Sequence, residues 1–195
     1  MQIPFVICFL ILIGGKSLPW WMAVVGATAI YNWPRVGLKN WPVVDLLNQI
    51  SYALVFVLSS WLNDAPQLPW FTFAFGALFA MHSHLFGEIM DREPDFAAGR
   101  RTTAGVFGMV PAKCLLAGIL AVEVSLVSRF AHDPWIAAAL TGGTLFFLLD
   151  ATILWRNRPY AAWQMRLFFL GWNVVALLSI PWVWQTATLA PPAGK

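Results

Sequence analysis

The sequence predicts an all-α integral membrane protein, a single domain of about seven transmembrane helices. Hydrophobic residues make up 59% of the 195 residues and charged residues only 11%, whereas a soluble domain carries roughly 25% charged residues. Mean hydropathy is +0.69, and the apolar residues occur in long runs. In a bilayer every backbone polar group must be paired within the protein, and a helix meets that requirement locally.

The apolar runs give seven predicted spans in chain order. They cover about 2–15, 18–33, 43–62, 68–90, 108–129, 134–155 and 163–184, and residues 185–195 form a short tail. The first two are short for a hydrocarbon core of about 30 Å. Five prolines stand near span starts, where a missing N–H costs least: Pro19, Pro42, Pro69, Pro111 and Pro134. The first run lacks a basic flank and a small-residue cleavage site, so we interpret it as a retained helix.

The basic residues predict the orientation of the bundle. With seven spans, nine Lys and Arg side chains fall on one side and three on the other: Arg35, Lys39, Arg92, Arg100, Arg101, Lys113, Arg156, Arg158 and Arg166 against Lys16, Arg129 and Lys195. Positive residues concentrate in cytoplasmic loops. We therefore expect a cytoplasmic N-terminus and an external C-terminus, in a membrane of the bacterial inner-membrane type. The lipid bilayer and other membrane subunits are the expected partners, and nucleic acid is not.

One segment, residues 82–108, differs from the rest of the chain. Its sequence is HSHLFGEIMDREPDFAAGRRTTAGVFG. On a helix, His84, Glu88, Asp91 and Asp95 share one face. Carboxylates so arranged repel one another unless a cation neutralises them, and oxygen ligands at this spacing suit Mg²⁺. Arginines in the same segment, Arg92, Arg100 and Arg101, are suited to bidentate contacts with phosphate. The alternative is a solvated loop that carries both charges.

The same segment resembles a known motif. DREPDFAAGRRTTAGVFG is similar to the second aspartate-rich motif of the UbiA-type intramembrane prenyltransferases, and the longer stretch AMHSHLFGEIMDREPDFAAGRRTTA resembles the subgroup that elongates carotenoids such as lycopene. A second similarity lies upstream in YNWPRVGLKNWPVVDLL, residues 31–47. The resemblance implies a UbiA-like helical bundle.

The resemblance also implies roles for particular residues. Asp91 and Asp95, with Glu88 beside them, would hold Mg²⁺ against a prenyl diphosphate. Arg35 and Lys39 would match basic residues near the diphosphate, and Arg101 with Thr102 would close the motif. The metal would neutralise the leaving group during electrophilic transfer.

The resemblance has a gap at the N-terminal side. The family carries two further spans before the counterpart of our first span, and a first aspartate motif of the form NDxxDxxxD. The pair Asn63–Asp64 does not replace that motif, because no further aspartates follow and it falls on the predicted outer side. The sequence therefore predicts a UbiA-like bundle that lacks the first two helices and the first motif.

Two functions follow from this gap. The first is a non-catalytic structural subunit, a pseudoenzyme of a larger membrane complex, for example a photosynthetic one, that binds lipid, a carotenoid or another isoprenoid. The alternative is a Mg²⁺-dependent prenyltransferase acting on a carotenoid or quinone precursor, completed by a separate N-terminal half. Whether the chain is active stays open at this point.

Three further polar residues lie inside predicted spans. Glu123 and Asp150 are acids in apolar surroundings, which invites a functional interpretation, although an interhelical hydrogen bond or a protonated acid is the simpler one. His82 and His84 point about 200° apart on a helix, so they cannot share a metal ion. We expect His82 to pack and His84 to support the carboxylate face. The many tryptophans are interpreted as interface anchors, with pigment stacking as the alternative.

Overall fold

The chain folds into helices connected by short loops. The structure, a computed structural model, describes residues 3–33 and 36–186, and within them it contains helices and turns but no strand. The ten α-helices are α1 Ile3–Ile13, α2 Leu18–Asn32, α3 Val44–Leu47, α4 Leu54–Leu62, α5 Trp70–Met90, α6 Arg92–Ala97, α7 Thr103–Phe107, α8 Met109–Leu126, α9 Pro134–Thr152 and α10 Ala162–Thr186.

Shorter helical turns extend several of these elements. A 3₁₀ stretch, Asn48–Ala53, joins α3 to α4, and a π-helical turn, Val127–Ala131, ends α8. Three segments are long and apolar enough to cross a membrane: Val44–Leu62, Met109–Ala131 and Pro134–Thr152. Helices also lie in the other predicted span intervals, but the count of seven spans stays a prediction.

Local sequence explains where helices begin. Asp133 caps α9 by accepting hydrogen bonds from the backbone N–H groups of Trp135 and Ile136, at 2.9 and 3.0 Å, and Pro134 follows at the first helical position, where no N–H is needed. Pro69 precedes α5 in an extended conformation. These caps fix the starts of two helices of the bundle.

The core lies along α8. This helix packs against α5 on one side and α9 on the other, and its side chains Ala112 and Leu116 are fully buried beside Leu85 and Ile89 of α5. The flanks are different, since no side chain of α2 is buried. Large apolar side chains on α10, such as Phe169, are mostly exposed. The well-packed centre thus holds α5, and with it the segment that follows, in a fixed position.

Candidate functional site

A cavity of about 350 Å³, which we call the main cavity, lies where α5 ends. Tyr31 and Asn32 from the end of α2 form one wall, and Ser83, His84 and Gly87 of α5 form another. Its charged lining residues are Glu88, Asp91, Asp95, Lys39 and Arg100, with Thr102 beside them. Three segments that are distant in sequence therefore meet around one polar space.

The helix does not continue smoothly through the acidic segment. α5 ends at Met90, Asp91 adopts φ −94° and ψ 11°, and α6 begins at Arg92. The four residues predicted to share a helical face, His84, Glu88, Asp91 and Asp95, all line the main cavity despite this break. The break redirects Arg92, as described below.

Asp95 and Arg100 form an ion pair inside the acidic segment. Arg100 Nη1 lies 2.9 Å from Asp95 Oδ1, with the arginine side chain 59% exposed and the aspartate only 11%. The chain reverses between them through Gly99, whose φ of +69° is a conformation that other residues adopt with difficulty. The Arg100 N–H then donates to the Asp95 carbonyl. The turn holds a cation beside a carboxylate at the cavity wall.

His84 connects two walls of the main cavity. Its Nε2 lies 3.3 Å from the Tyr31 hydroxyl and 3.2 Å from Glu88 Oε1. Glu88 is buried, and its other oxygen accepts a hydrogen bond from the Ala104 N–H at 3.0 Å. Glu88 is thus already engaged by two groups of the protein.

Gly37 shapes the loop that brings Lys39 to the cavity. A Cβ at this position would lie 2.5 Å from the Tyr31 carbonyl oxygen and 2.6 Å from that of Trp33. The Gly37 N–H donates to the Trp33 carbonyl at 2.8 Å. Only glycine fits so close to the end of α2, and this tight return places Lys39 in the cavity lining.

The predicted site residues are only partly brought together. Glu88, Asp91, Asp95, Lys39 and Arg100 line the main cavity. Arg92 instead lines a second cavity of about 240 Å³, between the start of α6 and the loop after α9. Arg101 is exposed and is not part of the lining of either cavity. Arg35 lies outside the described residues.

The main cavity offers ligands for a divalent cation, but few. In residues 3–33 and 36–186, no group of three or more His, Cys, Asp or Glu side chains is arranged to hold a metal ion. Asp91 is exposed to the cavity and Asp95 lies at its wall. Two carboxylates, supplemented by water and substrate phosphate, are a donor set that Mg²⁺ accepts. The donors therefore fit Mg²⁺ when a phosphate ligand is also bound.

Asp45 is a residue of this region that sequence reasoning missed. It stands at the start of α3 with no exposed surface, and its carboxylate accepts hydrogen bonds from the Thr103 N–H at 2.9 Å and the Thr103 hydroxyl at 2.5 Å. The available signal was a lone acid within the apolar run PVVDLL, which is unfavourable in a membrane without a dedicated partner.

The two acids within later spans are paired. His82 Nδ1 lies 2.6 Å from Glu123 Oε1, joining α5 to α8. Lys113 Nζ lies 2.9 Å from Asp150 Oδ2, joining α8 to α9, and both side chains have no exposed surface. These contacts agree with the simpler interpretation, in which the acids hold helices together.

Tyr160 completes the second pair. Its hydroxyl donates to Asp150 Oδ2, and its ring lies 4.7 Å from Lys113 Nζ. Burial, together with the hydrogen bond to the Asp150 carboxylate, raises the pKa of Tyr160 above its ordinary value. The phenol consequently stays protonated and keeps donating. Because Tyr160 also lines the second cavity, the loop between α9 and α10 is fixed at the same end of the bundle as Asp91.

Comparison with known proteins gives one partial similarity. The chain is 37% identical over 89 residues to a lycopene elongase/hydratase from Halobacterium salinarum. The matched segment covers 46% of this chain and 32% of that relative, so the chain spans about a third of the relative's length. No family model and no solved structure matches. The similarity agrees with the resemblance to carotenoid-elongating proteins seen in residues 82–108, and with a membrane location.

Proposed function

We propose that this chain is a carotenoid-related membrane protein that binds an isoprenoid diphosphate in the main cavity, as part of a Mg²⁺-dependent prenyltransferase. One observation carries the proposal. Asp91 and Asp95 line the same cavity as Lys39 and Arg100, although these residues come from separate segments. The partial similarity to a lycopene elongase/hydratase supports an isoprenoid ligand rather than a nucleotide.

Each of these side chains has a distinct task in the proposed site. Lys39 and Arg100 contact phosphate oxygens, and Asp95 keeps Arg100 in place through their 2.9 Å contact. Asp91, the more exposed carboxylate, faces the metal together with Asp95. When bound, Mg²⁺ neutralises the diphosphate so that it can leave from the allylic carbon. The apolar helices around the cavity accommodate the isoprenoid chain.

Charge limits what this set of residues does alone. Diphosphate carries several negative charges, and the main cavity opposes them with two cations while three carboxylates line the same space. One metal held by Asp91 and Asp95 leaves much of that charge uncompensated. We therefore propose that prenyl transfer needs further carboxylates and a second metal from another segment or chain, whereas diphosphate binding does not.

The test is Mg²⁺-dependent binding of labelled dimethylallyl and geranylgeranyl diphosphates to the protein in lipid nanodiscs. We expect Asp91→Asn to weaken binding about tenfold or more, because one charge-assisted contact contributes about 1.5–3 kcal/mol. Asp64→Asn is the matched control. It makes the same charge change at an exposed residue with φ +48°, which asparagine tolerates. Equal binding by wild type and Asp91→Asn would contradict the proposal.

A second candidate is the non-catalytic subunit of a larger membrane complex. The observation that favours it is the exposed apolar surface of α10, where Leu177 and Leu178 are 67% and 71% exposed. Such a face is covered by lipid or by a partner subunit. Co-purification with other membrane proteins in mild detergent, without Mg²⁺-dependent binding of a prenyl diphosphate, would favour this candidate over the first.

A further inference from the structure

We infer that Asp45 and Glu88 are positioning residues that grip the first turn of α7 and thereby place both cations of the main cavity. The inference rests on the proposed function, since it assigns Lys39 and Arg100 to the diphosphate. It also gives Glu88 a role other than the metal ligand that its spacing suggests. We call the contacts of Asp45, Glu88, Thr102 and Thr103 around this turn the α7 latch.

The latch satisfies every free donor of that turn. The first N–H groups of a helix have no partner within the helix. Here the Thr103 N–H donates to Asp45 at 2.9 Å and the Ala104 N–H donates to Glu88 at 3.0 Å. The Gly105 N–H donates to the hydroxyl of Thr102 at 3.2 Å. Three successive donors are thus bound by side chains from three segments, and negative charge is favourable at this helix end.

The latch is buried, which makes its contacts strong. Asp45, Thr103 and Ala104 have no exposed surface and Glu88 is 4% exposed. In a site without water, an unpaired carboxylate or N–H costs far more than it would at a surface. The segment that begins α7 is therefore held firmly in one place relative to α3 and α5.

Thr103 also acts in the other direction, on the segment before α3. Its hydroxyl oxygen accepts a hydrogen bond from the Val43 N–H at 2.7 Å. Val43 has φ +71°, which is strained for a β-branched residue and persists only where the surroundings impose it. Thr103 thus stabilises the turn that leads into α3 and directs Asp45 back towards α7.

The position of the latch in the chain gives it a function. Lys39 precedes Val43 by four residues, and Arg100 precedes Thr103 by three. The two cations that line the main cavity consequently lie on the two segments that the latch ties together. Loosening it would let both segments shift away from the acidic end of α5, while Asp91 and Asp95 stay on elements that follow α5 directly. The latch therefore governs diphosphate affinity more than metal binding.

The test compares Thr103→Val with Thr103→Ser in the full chain in nanodiscs. Valine has the same shape but removes the hydroxyl that binds both Asp45 and Val43, whereas serine keeps it. We expect Thr103→Val to raise the Kd for a labelled prenyl diphosphate about tenfold, the factor that corresponds to about 1.4 kcal/mol. Thr103→Ser is expected to restore wild-type affinity. The Mg²⁺ concentration that gives half-maximal binding is expected to change less than twofold.

Leu140→Ala is the control for a purely structural effect. It truncates a buried side chain of α9 away from the latch and lowers stability without touching either segment. If Leu140→Ala raises the Kd as much as Thr103→Val does, the positioning role is wrong. The same holds if Thr103→Ser fails to restore affinity.

Hydrogen exchange separates this inference from the proposed function. In Asp45→Asn, one amide nitrogen must face a backbone donor, either that of Thr103 or that of Leu46. We expect the amides of residues 103–105 to exchange about tenfold faster in this variant than in wild type, with no ligand present. Unchanged exchange overturns the latch whatever the binding result. If wild type binds no prenyl diphosphate but exchange does accelerate, the proposed function fails and the latch remains as structure alone.

Discussion

The two faces of α5 treat polar side chains in opposite ways. On the face towards α8, His82 meets Glu123 at 2.6 Å and both are almost fully buried. On the other face, His84 reaches Tyr31 and Glu88 at 3.2–3.3 Å at the wall of the main cavity. The two histidines are two residues apart, which turns them about 200° around the helix. One helix thus serves packing on one side and ligand recognition on the other.

The difference extends to the helices that each face contacts. The packed half, formed by α5, α8 and α9, also contains the buried ion pair between Lys113 and Asp150. The cavity half, formed by α2, α3 and the other face of α5, keeps Asp91 and Arg100 exposed at the cavity. Charge that is fully paired stabilises the bundle, and charge that stays accessible is available to a ligand. Stability and recognition should therefore respond to different substitutions.

The largest effect on stability is expected in the packed half, at Lys113. Removing one partner of a buried ion pair leaves an uncompensated charge, which costs about 3–5 kcal/mol. We expect Lys113→Met to lower the free energy of unfolding by that amount, measured by SDS titration in mixed micelles. The double variant Lys113→Met with Asp150→Leu should recover most of the loss, since no buried charge remains. A single variant as stable as wild type would break the comparison.

A smaller effect is expected at Glu123, because its partner His82 can become neutral. Glu123→Leu removes the acceptor of a buried hydrogen bond and should cost about 1–3 kcal/mol in the same titration. Glu123→Gln keeps a carbonyl oxygen at the same place and should cost less. Both variants are expected to leave prenyl diphosphate binding within twofold of wild type. A tenfold loss of binding would assign this pair to the cavity half instead.

The sequence predicts the helices better than it predicts the site. Long apolar runs mark helical intervals because hydrocarbon demands internal backbone pairing, and helices are found in those intervals. Asp91 and Asp95 were also found from local spacing, since four residues separate them and both reach one cavity. The direction of Arg92 was not predictable, because the chain leaves the α5 helix at Asp91 and turns this arginine into the second cavity.

Contacts between distant segments escaped prediction for a physical reason. Asp45 binds Thr103 across 58 residues, and the pairing depends on how α3 and α7 are placed rather than on any local pattern. The partners on Thr103 and Ala104 are backbone N–H groups as well, which every residue except proline carries. Sequence identity alone therefore gives no sign of where such an acid finds its donor.

The smallest effect is expected at Tyr31, on the cavity face of α5's neighbour. Its hydroxyl lies 3.3 Å from His84 Nε2 and is only partly buried, so Tyr31→Phe should cost no more than about 1 kcal/mol of unfolding free energy. Tyr52→Phe, at a residue 68% exposed, is the matched control and should cost nothing measurable. If Tyr31→Phe instead destabilises the protein as much as Glu123→Leu does, the hydroxyl is part of the packed structure. The cavity face would then be built like the face towards α8, and accessible charge could no longer be separated from structural charge by the side of α5 on which it lies.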